Sequence, residues 1–180
     1  MRASTQDNAS YAEMADAPGA ELFDALPTRR RPTPANRFRG WVWLAARLLG
    51  ALTILAVGGV HLYEYEHFYS QIPTIGTLFF LNFLGATAIG LGLLTPIERI
   101  IGGRRGSALV ILLALAGIAL AAVAFAFLLI SQHTPLFGFR EPGYDPTGID
   151  AVRAAEVATV LFLGTFLLGR LALKAPMRPW

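Results

Sequence analysis

The sequence predicts an all-α protein, an antiparallel bundle of four transmembrane helices behind a disordered amino-terminal tail. Three observations carry the prediction. Of the 180 residues, 54% are hydrophobic and only 15% charged, and the mean hydropathy is +0.52, too apolar for a soluble domain of this size. Four long apolar runs cover 41–62, 78–94, 108–130 and 151–171. With its interfacial flanks, each reaches the length of about 20 residues that a helix needs to cross roughly 30 Å of hydrocarbon. Finally, the basic residues favour alternate connections. Arg2, Arg29, Arg30, Arg31, Arg37, Arg39 and Arg47 precede or begin the first run, Arg99, Arg104 and Arg105 separate the second from the third, and Arg170, Lys174 and Arg178 end the chain, whereas Arg140 and Arg153 alone fall on the other side. By the positive-inside rule both termini are cytoplasmic and the first and third connections face outward. The chain is thus expected as a multi-pass protein of the cytoplasmic (inner) membrane. Its basic balance reports topology and attraction to anionic lipid rather than nucleic-acid binding.

Residues 1–36 are rich in Ala, Ser, Asp, Pro and Thr, with acids preceding Arg29-Arg30-Arg31-Pro32. Such a segment buries too little apolar surface to offset its ordering entropy and reads as a disordered cytoplasmic tail, with a second short tail at 175–180. The transmembrane domain is expected over 37–174, with helices at about 38–66, 74–95, 107–131 and 149–172. The first run starts too late and is too long for a signal h-region, so its helix is expected to be retained. Trp41 and Trp43 anchor that helix at the headgroups, and Arg47 is expected to snorkel back to the cytoplasm. Pro73 pushes Ile72 out of helical geometry, so the second helix starts after a short turn. Within that helix Asn82 is the only strongly polar group, and an interhelix hydrogen bond is favoured for it over a ligand contact. Small residues four apart, Ala86 with Gly90 and Gly117 with Ala121, give helices two and three smooth faces. The third helix offers no chemistry. In the loop after it, Leu136, Phe137 and Phe139 are expected to dip into the interface, with Arg140, Glu141, Tyr144 and Asp145 at the surface. Thr147 or Asp150 is the candidate cap of the fourth helix, on which Arg153 and Glu156 are spaced to pair.

The polar groups gather at the outer end. The stretch 58–76, GGVHLYEYEHFYSQIPTIG, holds two of the three histidines. His61, Glu64 and His67 follow an H-x-x-E-x-x-H spacing, which at about 100° per residue covers a sector of roughly 120° on one helix. Imidazole and carboxylate both suit zinc, but the spacing is not that of the zinc-protease motif, and no metal site is assigned. His61 and His133 as axial ligands of a haem are a further option. The plainer alternative is an interfacial belt of His61 and tyrosines. An ionisable group inside the apolar boundary costs about 2.5 kcal/mol or more unless paired. His61 and Glu156 are therefore candidates for mutual contact or for a shared cavity, serving as a clasp, as a proton-sensitive switch or as the polar end of a lipid or quinone pocket. Glu64, Glu66 and His67 are placed mostly at the wet rim. The candidate polar cluster is His61, Glu64, Tyr65, Asn82, Arg140, Glu141, Arg153 and Glu156, with no catalytic residue among them. The chain contains no cysteine, which excludes disulfides, thiolate metal sites and dithiol relays.

The residues V-H-L-Y at 60–63, I-P-T-I-G-T-L-F-F-L-N at 72–82, L-F-G-F-R-E at 136–141 and the glutamate at 156 resemble a group of small actinobacterial four-helix membrane proteins loosely similar to the DoxX-like family. The resemblance covers about 41–171 and implies a four-helix bundle in the cytoplasmic membrane. It carries over no catalytic residue and no cofactor, although some DoxX-like proteins are described as quinone-linked oxidoreductase subunits. Two functional classes stay open. The chain reads first as a non-catalytic membrane protein, either an accessory subunit of a membrane complex or a binder of a small hydrophobic ligand. The alternative is an oxidoreductase component with a quinone or metal site near His61.

Overall fold

The structure, a computed structural model, describes residues 34–143 and 145–172. The tail expected at 1–36 lies outside these except for 34–36, which are already helical, and Tyr144 and the carboxyl-terminal 173–180 are also outside. The chain divides into two units, Met1–Arg37 and Phe38–Trp180, and the architecture below concerns the second.

Four long helices make the bundle: α1 (Pro34–Glu64), α2 (Pro73–Leu94), α4 (Gly103–His133) and α5 (Pro146–Ala172), with a single short turn of helix, α3 (Ile97–Ile100), between α2 and α4. All four are long and apolar enough to cross a membrane. At about 1.5 Å per residue, even the shortest spans about 33 Å, the thickness of a hydrocarbon core. This is an integral membrane protein with four bilayer crossings. Its surface agrees: Leu52, Leu81, Leu112, Leu161 and Leu168 are exposed along the helices. In water such a surface would aggregate, whereas in lipid it is solvated.

Each helix keeps a narrow inward stripe recurring every three or four residues, the period of an α-helix. On α1 it runs Arg47, Gly50, Ile54, Val57, His61, Glu64; on α2 Asn82, Ala86, Gly90, Leu93; on α4 Val110, Ala114, Gly117, Ala121; on α5 Val152, Glu156, Thr159, Leu163, Phe166. The stripes are built largely from small residues, so the helices approach closely and dispersion between backbones supplies much of the cohesion. A Cβ on Gly58 would already meet that of Ala86, and one on Gly90 would strike Leu55, which fixes α1 against α2. The Thr159 and Thr53 hydroxyls, 3.0 Å apart, link α5 to α1.

One end of the bundle is closed by charge. The Arg47 guanidinium donates to the carbonyls of Leu93 (2.8 Å) and Thr95 (2.7 Å) at the end of α2 and pairs with Glu98 of α3 (3.1 Å). Arg170 of α5 pairs with the same carboxylate and lies over the Phe166 ring. Arg47, expected to turn back toward the cytoplasm, reaches Thr95 and Glu98 of the connection after α2, where three acceptors hold it. The Trp43 indole packs where a Gly169 side chain would stand, while Trp41 is exposed.

At the other end α1 does not stop at Glu64 but continues into a π-helical turn, Tyr65–Tyr69, closed by the Ser70 amide donating to the Tyr65 carbonyl (2.9 Å). Ile72 is extended (φ −98°, ψ 105°) before Pro73, as the proline dictates, and α2 begins. The turn seats directly on the first turn of α2. A Cβ on Gly76 would come within 2.6 Å of the Tyr69 carbonyl oxygen and 3.3 Å of Ser70 Cα, both of them backbone atoms that cannot swing aside. Gly76→Ala is therefore expected to lower the unfolding free energy by about 1.5 kcal/mol. Gly59→Ala, where nothing lies within 4 Å, is the matched control and should leave stability unchanged or slightly raised. Reversible unfolding in mixed micelles measures both.

Candidate functional site

The turn after Glu64 decides which aromatic side chain enters the bundle. With α-helical spacing the residue three or four after Glu64, His67 or Phe68, would continue the inward stripe. A π-turn takes about 4.4 residues, so the next inward position falls on Tyr69 instead. Tyr69 is buried and its ring stacks on Phe79 of α2 at 4.5 Å. Its hydroxyl donates to Glu141 Oε2 (2.5 Å), and the Gly143 amide donates to the other carboxylate oxygen (2.8 Å). The Glu141 amide in turn donates to the Ser131 carbonyl at the end of α4 (2.9 Å). These bonds tie the loop after α4 down onto the bundle. Leu136 and Phe139 exchange two backbone hydrogen bonds (2.7 and 3.0 Å) around Phe137 and Gly138, both at positive φ (53° and 81°). The tight turn that results presses Leu136 and Phe139 inward and leaves Phe137 exposed at its tip.

Beneath this cover lies a cavity of about 110 Å³ bounded by α1, α2, α4, α5 and the loop. Most of its wall is apolar, with Ile75, Leu78, Phe79, Phe127, Leu128 and Val152 prominent. His61, Glu64, Asn82, Glu141 and Glu156 are set into it, and they are only 8%, 5%, 9%, 9% and 1% exposed. A volume of this size admits several waters or part of a small molecule. Two of its polar groups are incomplete: Asn82 Oδ1 and Glu156 Oε2, on α2 and α5, have no hydrogen-bond partner among the described residues. Glu64 Oε1 meets the Asp145 carboxyl, with which Glu64 hydrogen-bonds, across Gly148, where any side chain would collide with both. His61 Nδ1 donates to the Val57 carbonyl (2.9 Å), and its ring is tilted against Phe79 at 5.0 Å. On the lipid side of Glu156 a second hollow, about 220 Å³, runs between α4 and α5 along Ala121, Ala122, Val157 and Leu161. Glu156 borders both spaces.

Of the residues singled out from the sequence, the structure gathers His61, Glu64, Asn82, Glu141 and Glu156 around one cavity and leaves three outside it. Tyr65 is half-buried and tilts against Phe80 at 5.5 Å. Arg140 is exposed. Arg153 donates to Gln132 (2.6 Å) and lies 3.7 Å from Asp150, so its expected pairing with Glu156 is replaced by partners on the solvent side of α5. His61 and Glu156 share this cavity, the second of the two arrangements expected for them, with no hydrogen bond between them, and His61 Nδ1 is bonded to the Val57 carbonyl. Three further expectations are corrected. Asn82 makes no interhelix hydrogen bond; its amide borders the cavity, and among the described residues no polar group on the other helices is within bonding reach. Glu64 is buried rather than at the rim, being three residues on from His61 along the same stripe. Glu141 is buried rather than at the surface, because its loop folds back onto Tyr69. The cap of α5 is also neither Thr147 nor Asp150: the Thr147 amide donates to Asp145 Oδ1 (3.0 Å). His67 is exposed, its Nδ1 donating to the Tyr63 carbonyl (2.7 Å), and His61, Glu64 and His67 do not converge. Among the described residues no group of three or more His, Cys, Asp or Glu is placed to hold a metal ion.

Ser131 is a participant that the sequence analysis leaves out, although Ala114, Gly117, Ala121, Ala124 and Leu128 lead to it at the inward spacing of α4. Tyr69, expected only as one of the belt tyrosines with Tyr63 and Tyr65, is buried at the cavity instead, because the π-turn breaks the periodicity that would reveal it. Comparison with protein-family models, with curated proteins and with solved structures finds no match to this chain, and none supports the DoxX-like or actinobacterial resemblance, of which the four-helix membrane bundle is the part the structure shows.

Proposed function

We propose that this protein binds a small amphipathic molecule in the cavity at the His61 end of its bundle, as a receptor, carrier or ligand-holding subunit rather than as an enzyme. One observation carries the reading: two buried side-chain oxygens on different helices, Asn82 Oδ1 and Glu156 Oε2, border the same space with no partner among the described residues. Leaving a buried polar group unsatisfied costs about 1–3 kcal/mol. Two such groups facing one cavity are a standing cost that a purely structural bundle has no reason to keep, whereas a ligand's polar end would relieve it. The apolar wall suits the remainder of such a molecule, and the hollow between α4 and α5 offers a lipid-soluble ligand a lateral path to Glu156. With both termini cytoplasmic, as the arginine bias indicates, the cavity belongs to the outer half of the inner membrane. Native mass spectrometry of the full chain, released gently from membranes, tests the reading. A small-molecule adduct retained by the wild-type protein and lost from Asn82→Leu supports it. A bare mass from every mild detergent, or an adduct indifferent to Asn82→Leu, contradicts it.

A further inference from the structure

The polar groups of the cavity also limit the chemistry of what enters it, granted the binding role proposed above. The unpartnered oxygens of Asn82 and Glu156 are acceptors in their amide and ionised forms, while Glu64 beside them is bonded to Asp145. The donors on the same wall are largely committed: the Tyr69 hydroxyl to Glu141, the Ser131 hydroxyl to the Leu128 carbonyl (2.9 Å), and His61 Nδ1 to the Val57 carbonyl. Asn82 Nδ2 and the far ring nitrogen of His61 are what remains. The formal charge runs the same way. Glu64, Glu141 and Glu156 line the cavity, Asp145 lies beside Glu64, and no lysine or arginine is part of the wall. Arg153, the basic residue on the same stretch of α5, lies close enough to act on the Glu156 charge but spends its hydrogen bonds and ion pair on Gln132 and Asp150.

We infer that the ligand presents a cationic, hydrogen-bond-donating head, an alkylammonium or a close relative, to Asn82 and Glu156, with its apolar body along Phe79, Leu128 and Val152. An ammonium group carries up to three donors and no acceptor, which suits both oxygens that lack donors. Charge-assisted bonds of this kind are about twice as strong as neutral ones. A quinone or other ketone brings only acceptors, and would set its carbonyls against unpaired oxygens while leaving their need unmet.

The test uses the full chain in nanodiscs of zwitterionic phosphatidylcholine, titrated calorimetrically with hexylamine and, separately, with hexan-2-one, a probe of equal length whose head only accepts. Hexylamine is expected to bind saturably and about tenfold or more tighter than the ketone. Glu156→Gln, which keeps shape and removes charge, is expected to weaken the amine by about tenfold and leave the ketone unchanged. Equal binding of the two probes, lost together in Asn82→Leu, overturns the donor-head inference while leaving the cavity as a binding site. Amine binding that Glu156→Gln does not alter is partition into lipid and overturns the inference, as does the absence of saturable amine binding.

Discussion

Arg47→Met is expected to lower the unfolding free energy by about 4 kcal/mol, the largest loss from any single side chain described above. The methionine retains most of the apolar volume, so the loss isolates the guanidinium. That group holds the carbonyls of Leu93 and Thr95 at the end of α2 and the carboxylate of Glu98. Helix α2 cannot satisfy its last carbonyls internally, and a cation placed there also opposes the negative end of the helix dipole. Without it two buried carbonyls and part of the Glu98 charge lose their partner, although Arg170 still pairs with Glu98. Arg47→Lys should recover less than half of the effect, because one ammonium cannot reach three acceptors that a planar fork can. Reversible unfolding in mixed micelles measures both variants, and a loss under about 1 kcal/mol for Arg47→Met would mean that water or lipid headgroups replace these bonds at no cost.

Glu156→Leu is expected to act in the opposite direction. The carboxylate is 1% exposed, has an oxygen without a partner, and stands among Val152, Leu128 and Ala124. Replacing a buried, unsatisfied polar group by an apolar one of similar size is expected to raise the unfolding free energy by about 2 kcal/mol in protein stripped of ligand. The same substitution should abolish binding in the cavity. A residue that costs stability and confers affinity is the usual signature of a functional site. Destabilisation by Glu156→Leu would instead make the carboxylate part of the structural core, and the cavity reading would lose its main support.

The helices were legible because lipid imposes a length: four uninterrupted apolar runs leave few alternatives, and the arginines mark their ends. Side-chain placement was legible only where the helical period persists. Asn82 and Glu156 lie on inward stripes that simple spacing reveals, and Glu64 lies on the stripe through Val57 and His61 within the helix expected over 38–66, so its burial was legible from spacing even though its charge argued for the rim. Tyr69 was hidden because five residues of π-helix shift the phase of the chain by most of a residue. Glu141 was hidden for a different reason. Its position depends on the loop folding back so that Tyr69, 72 residues away, can reach it, and no local pattern encodes a contact of that range. The direction of Arg47 was legible, but its partners were not, since the carbonyls of Leu93 and Thr95 and the Glu98 carboxylate reach it only through the packing of α1 against the end of α2.

The central claim, that the cavity and not the lipid-facing surface is where this protein holds a small amphipathic molecule, is tested most directly by photolabelling. A hexylamine derivative carrying a diazirine at its tail end, added to the full chain in nanodiscs and mapped by peptide mass spectrometry, should mark Phe79, Leu128 or Val152, be displaced by excess hexylamine, and disappear from these peptides in Glu156→Leu. Label spread over outward residues such as Leu81, Leu112 and Leu168, undisplaced and unchanged in that variant, would contradict it.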